Sequence, residues 1–389
     1  MKILNVSNIF FTLPYFFGDQ LSHFSKKGYD ITVTCGPDDN LRSFADKHSV
    51  KLKEIFIPRT FALKEDWKAF MELYKFIKEE HFDIVCGHTP IGGLLAVTAA
   101  KLAGIKKRVF FRHGLVYETS HGLKRMILIN AERFASLMAT NVVCVSHYLI
   151  ERSVQDSLTN RSKMMLLNEG SCNGIDSEGR FNPSNIDRDL LTSIRKKWKI
   201  PEDAFVIGYA GRMVQDKGIE ELVTAFKIIR SKVPNAFLLL VGMLEERDAI
   251  TEQTREEIKS NPHIIHTGLI LHNVEYYYSL MDVLVLCTHR EGLGQTLIEA
   301  AAMGVPTLTT SHTGSRDAIR NNVTGMFVNM GDPDSIFEKV MMYVADEKLR
   351  KLHGKQGRDF VMRTFKQELV WDEIERKIYG ITNLAGTRS

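Results

Sequence analysis

Two carboxylates that flank a pair of glycines mark the part of the sequence where ligand chemistry is most strongly indicated. Glu291 precedes Gly292 and Gly294, and Glu299 follows with seven residues between the two acids. Glycines let the backbone turn tightly, and a helix that begins beyond such a turn offers free N–H groups and the positive end of its dipole. These residue types therefore predict an anion site with a carboxylate on each side of it.

The neighbouring residues supply the elements that such a site requires. Residues 282–287 form an apolar run that is typical of a buried strand, and residues 295–303 have the composition of a short helix. Gly304 is a suitable end for that helix, and Pro306 prevents its continuation. The turn should therefore lie where a strand ends and a helix begins. For the acids alone, the alternative is a helix that carries two solvated glutamates.

A second loop combines two cations with two glycines. Gly211 follows another apolar run, Arg212 and Lys217 lie on the loop, and Gly218 allows a tight entry into the next helix. A forked guanidinium and a compact ammonium both suit a diphosphate, whose negative charge grows as it departs from a sugar. The loop therefore predicts a diphosphate site, with a surface loop that carries two incidental cations as the alternative.

Composition limits the class of protein. A chain of 389 residues with 44% hydrophobic and 25% charged residues is typical of a globular protein with two domains. No apolar run reaches the roughly 18 residues that a membrane span needs. The five scattered cysteines fit buried free thiols rather than a disulfide framework, and no His, Cys or Asp grouping has the spacing of metal ligands. We therefore predict no metal and no cofactor.

The net charge of +4 is unevenly distributed. Residues 1–170 carry 23 Lys and Arg against 17 Asp and Glu, whereas the remainder carry 28 against 30. A basic first half favours an anionic partner, such as a membrane surface or a diphosphate-bearing acceptor, although an uneven solvated surface explains the same numbers. No nucleic-acid partner is predicted.

The order of the elements predicts two similar halves. Short β-rich runs alternate with helical segments as far as residue 167, and the alternation restarts near residue 204. Such alternation is typical of a parallel sheet covered by helices on both faces. Residues 168–184 are rich in Asn, Gly, Ser and Asp and predict a linker. We place one domain at 1–172 and the other at 173–365, with a C-terminal helix at 366–382 and a frayed end at 383–389.

The two charged loops together resemble a known family. The pair of acids matches the E-x7-E signature of the retaining glycosyltransferases of the GT-B fold, in particular family 4, and residues 211–218 are similar to its GR-x(4)-KG motif. The resemblance implies an α/β fold of two Rossmann-like domains whose parallel sheets face each other across a cleft. It also implies that the C-terminal helix crosses back to the first domain.

The same resemblance implies a role for each candidate residue. Arg212 and Lys217 would hold the donor diphosphate, Glu299 would accept hydrogen bonds from the ribose hydroxyls, and Glu291 would face the donor sugar. The remaining donor-binding candidates are the backbone of Gly292, Leu293 and Gly294 in the turn, and Leu269 beside the nucleobase.

In the first half, His113 resembles the histidine of the family's HG motif, which approaches the donor sugar and diphosphate. A lone histidine after a strand is more often structural than functional. For His88, a structural role and a functional role are equally expected. The family's double glycine after the first strand is replaced by the bulky aromatic residues 8–18, which either contact a lipid acceptor or are buried. A helix near residues 119–133 carries Lys124, Arg125 and Arg133 and either lies on an anionic membrane or is half-buried.

Taken with the resemblance, these residues predict a retaining, metal-independent glycosyltransferase of capsule, O-antigen or glycan assembly. It would move a hexose or N-acetylhexosamine from a nucleotide-diphospho sugar, UDP-linked, to a polyprenyl-diphosphate-linked sugar or another saccharide acceptor. It would act in the cytoplasm, at the inner face of the membrane. The alternatives are a UDP-sugar epimerase of the same fold and a catalytically silent partner that binds nucleotide sugars.

Overall fold

A computed structural model describes residues 1–246 and 248–380 of the chain. Strands and helices alternate through both halves. The strands are β1 Lys2–Val6, β2 Asp30–Cys35, β3 Lys51–Glu54, β4 Ile84–Gly87, β5 Lys107–Arg112, β6 Asn141–Cys144, β7 Met164–Met165, β8 Phe205–Ala210, β9 Ala236–Val241, β10 Ile264–His266, β11 Val283–Leu286, β12 Thr307–Thr310 and β13 Gly325–Val328.

The helices cover the faces of the sheets. They are α1 Leu13–Phe17, α2 Gln20–Lys26, α3 Leu41–His48, α4 Leu63–Glu80, α5 Pro90–Leu102, α6 Gly122–Met138, α7 His147–Gln155, α8 Arg188–Lys197, α9 Ile219–Lys232, α10 Glu252–Ser260, α11 Val274–Tyr278, α12 Gln295–Ala302, α13 Pro333–Ala345, α14 Glu347–Thr364 and α15 Gln367–Glu373.

The chain forms two compact units. The first comprises residues 1–174 and the segment that begins at Gln367, and the second comprises residues 175–366. All seven strands of the first sheet are parallel, in the order β3-β2-β1-β4-β5-β6-β7. Its central strands are apolar and buried because helices cover both faces. The strand order reverses between β1 and β4.

The second sheet repeats this plan. Its six parallel strands have the order β10-β9-β8-β11-β12-β13, so its reversal lies between β8 and β11. Strands β8 and β9 are buried along their whole length. The predicted α/β fold, with two Rossmann-like units that each contain a parallel sheet, is confirmed.

Several predicted element boundaries were wrong. Apolar residues at helical spacing predict one helix over residues 14–27, but the structure divides it at Gly18, whose φ of 46° is unfavourable for other residues. The sequence also predicts a helix over residues 246–260, but this helix begins only at Glu252, where Thr251 caps its N-terminus. The sequence predicts a strand over residues 163–167, whereas β7 comprises only two residues.

The C-terminal segment packs against the first unit, as predicted. After α15, residues Ile374–Tyr379 form a π-helix. The indole N–H of Trp371 donates to Asn173 Oδ1 at 3.1 Å, and Glu375 accepts from Lys27 Nζ at 2.6 Å and from the Tyr29 hydroxyl at 2.8 Å. The last two residues of the expected helix and the end expected to be frayed, residues 383–389, lie outside the described residues.

The thiols, the longest helices and the possible metal ligands each bear on the class of protein. All five cysteines are buried and unpaired. No helix within residues 1–246 and 248–380 has both the length and the apolar character that crossing a bilayer requires. Over those residues no cluster of three or more His, Cys, Asp or Glu side chains could hold a metal ion.

Candidate active site

The strand-order reversal of the second unit brings the two predicted loops together. Strands β8 and β11 are direct neighbours, with Ile207 opposite Val283. Because the strands are parallel, the loop after β8 and the turn after β11 leave the sheet at the same edge. Ligands of open α/β sheets bind at this switch point.

Hydrogen bonds join these two loops along their length. The backbone N–H of His289 donates to the carbonyl of Asp216 at 2.8 Å, and the Thr288 hydroxyl donates to the same oxygen at 3.1 Å. The Cys287 thiol donates to the carbonyl of Gly218. Gly218 has a φ of 69°, and a Cβ there would lie 2.1 Å from the carbonyl oxygen of Cys287. Only glycine therefore allows this close approach of the two loops.

Lys217 and Glu291 are in direct contact across the junction. The Lys217 ammonium lies 2.9 Å from Glu291 Oε2 and donates to the carbonyl of Arg290 at 2.9 Å. The other oxygen of Glu291 accepts the backbone N–H of Gly292 at 3.1 Å. Arg290 in turn pairs with Asp216 at 2.6 Å. The predicted cation, carboxylate and glycine turn thus form one cluster.

Arg212 lies on the same loop, but its side chain is directed to the loop after β9. Its Nη1 lies 3.0 Å from Glu245 Oε2, and the backbone N–H of Met213 donates to the carbonyl of Met243 at 2.9 Å. The Tyr209 hydroxyl donates to the carbonyl of Arg212 at 2.7 Å. Burial, and after it the charge of Glu291, raises the pKa of this hydroxyl, so it remains protonated and able to donate. Arg212 and Lys217 are therefore each held by an acid.

The glycine turn is supported by a loop that the sequence did not indicate. The backbone N–H of Gly314 donates to the carbonyl of Glu291 at 2.9 Å. A Cβ at Gly314 would lie 2.0 Å from the carbonyl oxygen of Gly292. The next residue, Ser315, accepts from the Thr309 hydroxyl at 2.8 Å. The loop after β12 therefore fixes the backbone of the turn.

Glu299 lies on α12 and forms a separate cluster with α11. Its side chain is 9% exposed, and the Tyr278 hydroxyl donates to its Oε2 at 2.6 Å. Burial raises the pKa of the Glu299 carboxyl to about 7, while the hydrogen bond from Tyr278 and the charge of Arg180 oppose that rise. Glu299 is therefore a carboxyl that changes protonation state near neutral pH.

The other donor-binding candidates belong to the same unit. Gly294 begins α12 with a φ of 83°, and the side chain of Leu293 is buried, so in this turn the backbone is the available binding group. Leu269 follows β10 and is exposed. Its neighbour Gly268 accepts the backbone N–H of Gly242 at 3.0 Å, which joins the loops after β9 and β10.

His113 belongs to the first unit, where it follows β5. Its Nε2 lies 3.1 Å from Nδ1 of His88, which follows the neighbouring strand β4. The ring of Phe16 stacks on His113 with a centroid separation of 3.6 Å. Burial lowers the pKa of His113 to about 3, so the ring is neutral at physiological pH. The preceding Arg112 is fully buried and pairs with Glu132 at 3.0 Å, which makes it structural.

Sequence reasoning missed three contacts of the candidate residues. Glu245 follows a predicted strand by four residues, and a search for charged residues at every strand end would have included it. Gly314 follows β12 in the same way, although nothing in the sequence shows what it contacts. Tyr278 carries no such signal, because its hydrogen bond depends on how α11 packs against α12.

Two Rossmann-like units, each with a parallel sheet, and charged loops at the switch point of one sheet are features of a glycosyltransferase of the GT-B fold. The family model described as "Glycosyl transferases group 1" matches residues 192–360, and the model described as "Glycosyltransferase Family 4" matches residues 17–169. The chain belongs to the family 4 glycosyltransferases.

Individual proteins agree with this assignment. The capsular polysaccharide biosynthesis glycosyltransferase CapM of Staphylococcus aureus is 34% identical over 96% of both chains. An Escherichia coli UDP-Gal:alpha-D-GlcNAc-diphosphoundecaprenol alpha-1,3-galactosyltransferase is 24% identical over 87% of this chain and 85% of its own. The crystal structure of Anabaena HepE in complex with UDP and glucose shares the fold, with a TM-score of 0.81, 15% identity, and coverage of 98% of this chain and 100% of that one.

Proposed function

We propose that this glycosyltransferase moves a hexose or N-acetylhexosamine from a UDP-sugar to a polyprenyl-diphosphate-linked saccharide, with retention of configuration, in the assembly of a cell-surface polysaccharide. The observation that carries the proposal is the contact of Lys217 with Glu291 at the switch point of the second sheet, on the loop that also carries Arg212. Residues 1–172 with the C-terminal helix form the acceptor domain of this proposal, and residues 173–365 form the donor domain.

The reaction proposed for this cluster needs electrostatic stabilisation rather than a protein nucleophile. The bond from the sugar C1 to the diphosphate oxygen breaks, and UDP leaves with the electron pair. The acceptor hydroxyl oxygen bonds to C1 on the face that the diphosphate vacates, and its proton passes to the departing phosphate oxygen. Negative charge grows on the diphosphate, where Lys217 and Arg212 can stabilise it without reorganisation of solvent. No step requires a metal ion.

The names of the relatives support the finer parts of this proposal. The E. coli relative is named for a UDP-linked donor and a diphosphoundecaprenol acceptor, and CapM for capsular polysaccharide. HepE was crystallised with UDP and glucose. A UDP donor and a lipid-linked acceptor are therefore the substrates with which testing should begin.

A panel of nucleotide sugars should identify the donor. We expect one UDP-linked hexose or N-acetylhexosamine to raise the melting temperature, while GDP-linked sugars leave it unchanged. Binding to the folded state at a hundredfold excess over Kd stabilises a protein by about 2.7 kcal/mol, which differential scanning fluorimetry resolves as several degrees. Stabilisation by GDP-mannose alone would contradict the proposed base.

Turnover separates the proposed activity from its alternatives. The transferase releases UDP and forms a product with the donor's anomeric configuration, measurable from its anomeric proton coupling. An epimerase would interconvert nucleotide sugars without transferring the sugar to an acceptor. A silent partner would bind the donor without turnover. Loss of UDP release in Glu291→Ala would support the transferase.

A surface of the first unit fits an anionic bilayer, where a lipid-linked acceptor would be found. Helices α4, α5 and α6 pack side by side, and α4 and α6 both begin at the carboxyl edge of the sheet. Leu63 is 90% exposed, Trp67 64% and Leu123 67%. We call these side chains, with the cations beside them, the basic apolar surface. Its cations, which form no ion pair within the described residues, are Arg59, Lys64, Lys68, Lys124 and Arg125.

The predicted set of three cations on α6 is corrected by the structure in one respect. Arg133 donates to the backbone carbonyls of Asp156 and Ser157 at 3.0 and 3.2 Å, so it holds the end of α7 and is not part of the basic apolar surface. Exposed Met126 and Ile127 accompany Lys124 and Arg125 instead. Lys124 is exposed, and Arg125 lies over the ring of Tyr117 at 5.5 Å. Apolar side chains and cations near one helix end favour the cytoplasmic face of an anionic membrane.

Charge reversal should test this surface. Lys124→Glu with Arg125→Glu is expected to reduce binding to phosphatidylglycerol-containing vesicles by at least roughly thirtyfold, because each cation contributes about 1 kcal/mol near an anionic surface. The measurement is vesicle co-sedimentation. The matched control reverses two exposed lysines of α14, Lys348→Glu with Lys355→Glu, and should bind as the wild type does. Equal binding of wild type to neutral phosphatidylcholine vesicles would contradict the proposal.

A further inference from the structure

The aromatic loop after β1 packs on the two histidines of the first unit. In this chain, helix α1 occupies the place where the family has a double glycine. Phe16 stacks on His113 with an interplanar angle of 7° and a centroid separation of 3.6 Å. Phe17 meets the ring of His88 edge-on at 4.7 Å. The loop thus provides an aromatic support in place of backbone N–H groups.

The positions of the two histidines follow from the sheet. Strands β4 and β5 are neighbours, with Gly87 opposite Phe110, so the residues that follow them lie side by side. His88 is 1% exposed, whereas His113 is only partly buried. His88 also stacks on Phe111, with ring centroids 4.3 Å apart. His88 is therefore enclosed by rings, and His113 is the member of the pair that a ligand can reach.

The hydrogen bond between the rings indicates which nitrogen carries the proton. Nδ1 of His88 and Nε2 of His113 are 3.1 Å apart, so one must donate and the other accept. Nε2 of His88 is buried and has no hydrogen-bond partner among the described residues. If His113 donated, that buried Nε2 would carry an N–H without an acceptor, which is rarer in proteins than an unused acceptor. His88 therefore donates from Nδ1, and His113 accepts at Nε2.

We propose that His88 is a positioning residue that fixes His113 as a neutral hydrogen-bond donor with its proton on Nδ1, and that Phe16 holds the plane of the ring. His113 then presents one N–H to the substrate and cannot act as a base, because its lone pair accepts from His88. This inference rests on the proposed function for the identity of the ligand, while the tautomer of His113 is a property of the unliganded protein.

Nitrogen-15 NMR of full-length protein labelled at its histidines tests the tautomer directly. The His113 signal is assigned by its loss in His113→Gln. We expect a protonated Nδ1 and an unprotonated Nε2 in the wild type at pH 7, and averaging between the two tautomers in His88→Leu. His88→Asn should retain the wild-type pattern, since the asparagine amide places a donor where Nδ1 stood. A protonated Nε2 in the wild type would overturn the proposal.

Kinetics with the donor selected by the thermal-shift panel supply the second readout. We expect His88→Leu to lower kcat/KM for transfer about tenfold, the value of one hydrogen bond, with an unchanged Kd for UDP. His88→Asn should restore activity to within about threefold of wild type, as a conservative donor would. Equal losses in His88→Leu and His88→Asn, with the tautomer unaltered in both, would make His88 a packing residue and overturn its assigned role.

The two readouts also separate this inference from the proposed function. Absence of transfer by the wild type with every donor, together with the expected tautomer, would overturn the proposed function alone. Phe16→Leu provides an independent variant if His88→Leu fails to fold. It should broaden the His113 signals and raise KM for the donor, and an unchanged spectrum and KM would overturn the support assigned to Phe16.

Discussion

Replacing Lys217 with alanine is expected to lower kcat/KM for sugar transfer by roughly a hundred- to thousandfold, the usual cost of removing one preorganised donor to developing charge. The Lys217 ammonium is fixed by Glu291 Oε2 and by the Arg290 carbonyl, each at 2.9 Å, so little reorganisation is needed when the diphosphate departs. Steady-state release of UDP in the presence of acceptor measures this loss. Mutation should act more on kcat than on KM, because charge on the leaving group is greatest in the transition state.

The pairing with Glu291 makes this prediction sharper. Lys217→Ala leaves the Glu291 carboxylate uncompensated beside an anionic substrate, so part of the loss should be regained in Lys217→Ala with Glu291→Gln. The matched control is Lys227→Ala, which removes an exposed lysine of α9 that pairs with Glu257 at 3.5 Å. The control should remain within about twofold of wild type. A Lys217→Ala enzyme within threefold of wild type, or strictly additive losses, would contradict the role of this pair.

Strands were predictable from the sequence because buried parallel strands carry uninterrupted apolar runs. Residues 236–241 are such a run, and every one of them is buried in β9. Helix α14 was not identified, because it is highly charged and contains Gly354 and Gly357, which favour a helix end. The structure explains Gly354, since a Cβ there would lie 2.1 Å from the carbonyl oxygen of Gly304 at the end of α12. Close packing between helices requires this glycine, and the sequence does not show such a contact.

The candidate site was predictable to the extent that it depends on strand ends. Lys217 and Glu291 meet because their loops follow adjacent parallel strands, and the Rossmann-like strand order that the resemblance implied makes the first and fourth strands of the unit neighbours. The contact of Arg212 with Glu245 requires in addition the path of the loop after β9, which local pattern does not determine. The aromatic residues after β1 were open to two interpretations, contact with a lipid or burial, and only the structure shows that the ring of Phe16 packs on that of His113.

Nucleotide-sugar binding should weaken as the pH falls below neutrality, because Glu299 loses its charge there. Burial raises the pKa of this carboxyl to about 7, so it is mostly ionised at pH 8 and mostly protonated at pH 6. A carboxylate accepts hydrogen bonds from ribose hydroxyls at both oxygens, whereas the acid retains reduced acceptor capacity. If the ionised form alone binds, Kd for the donor should be about tenfold weaker at pH 6 than at pH 8. The ligand should be the intact nucleotide sugar, since the terminal phosphate of UDP would itself titrate with a pKa of about 6.

Two variants assign this pH dependence to Glu299. Glu299→Gln should bind the donor more weakly at pH 8 and with little dependence on pH, as isothermal titration calorimetry would show. Tyr278→Phe removes the 2.6 Å hydrogen bond that lowers the pKa of Glu299, so the midpoint should move to higher pH. The direction of this shift is informative. Burial already raises the pKa of the carboxyl, and loss of a hydrogen-bond donor raises that pKa further. A midpoint that moves downward in Tyr278→Phe, or that persists in Glu299→Gln, would show that another group controls binding of the ribose.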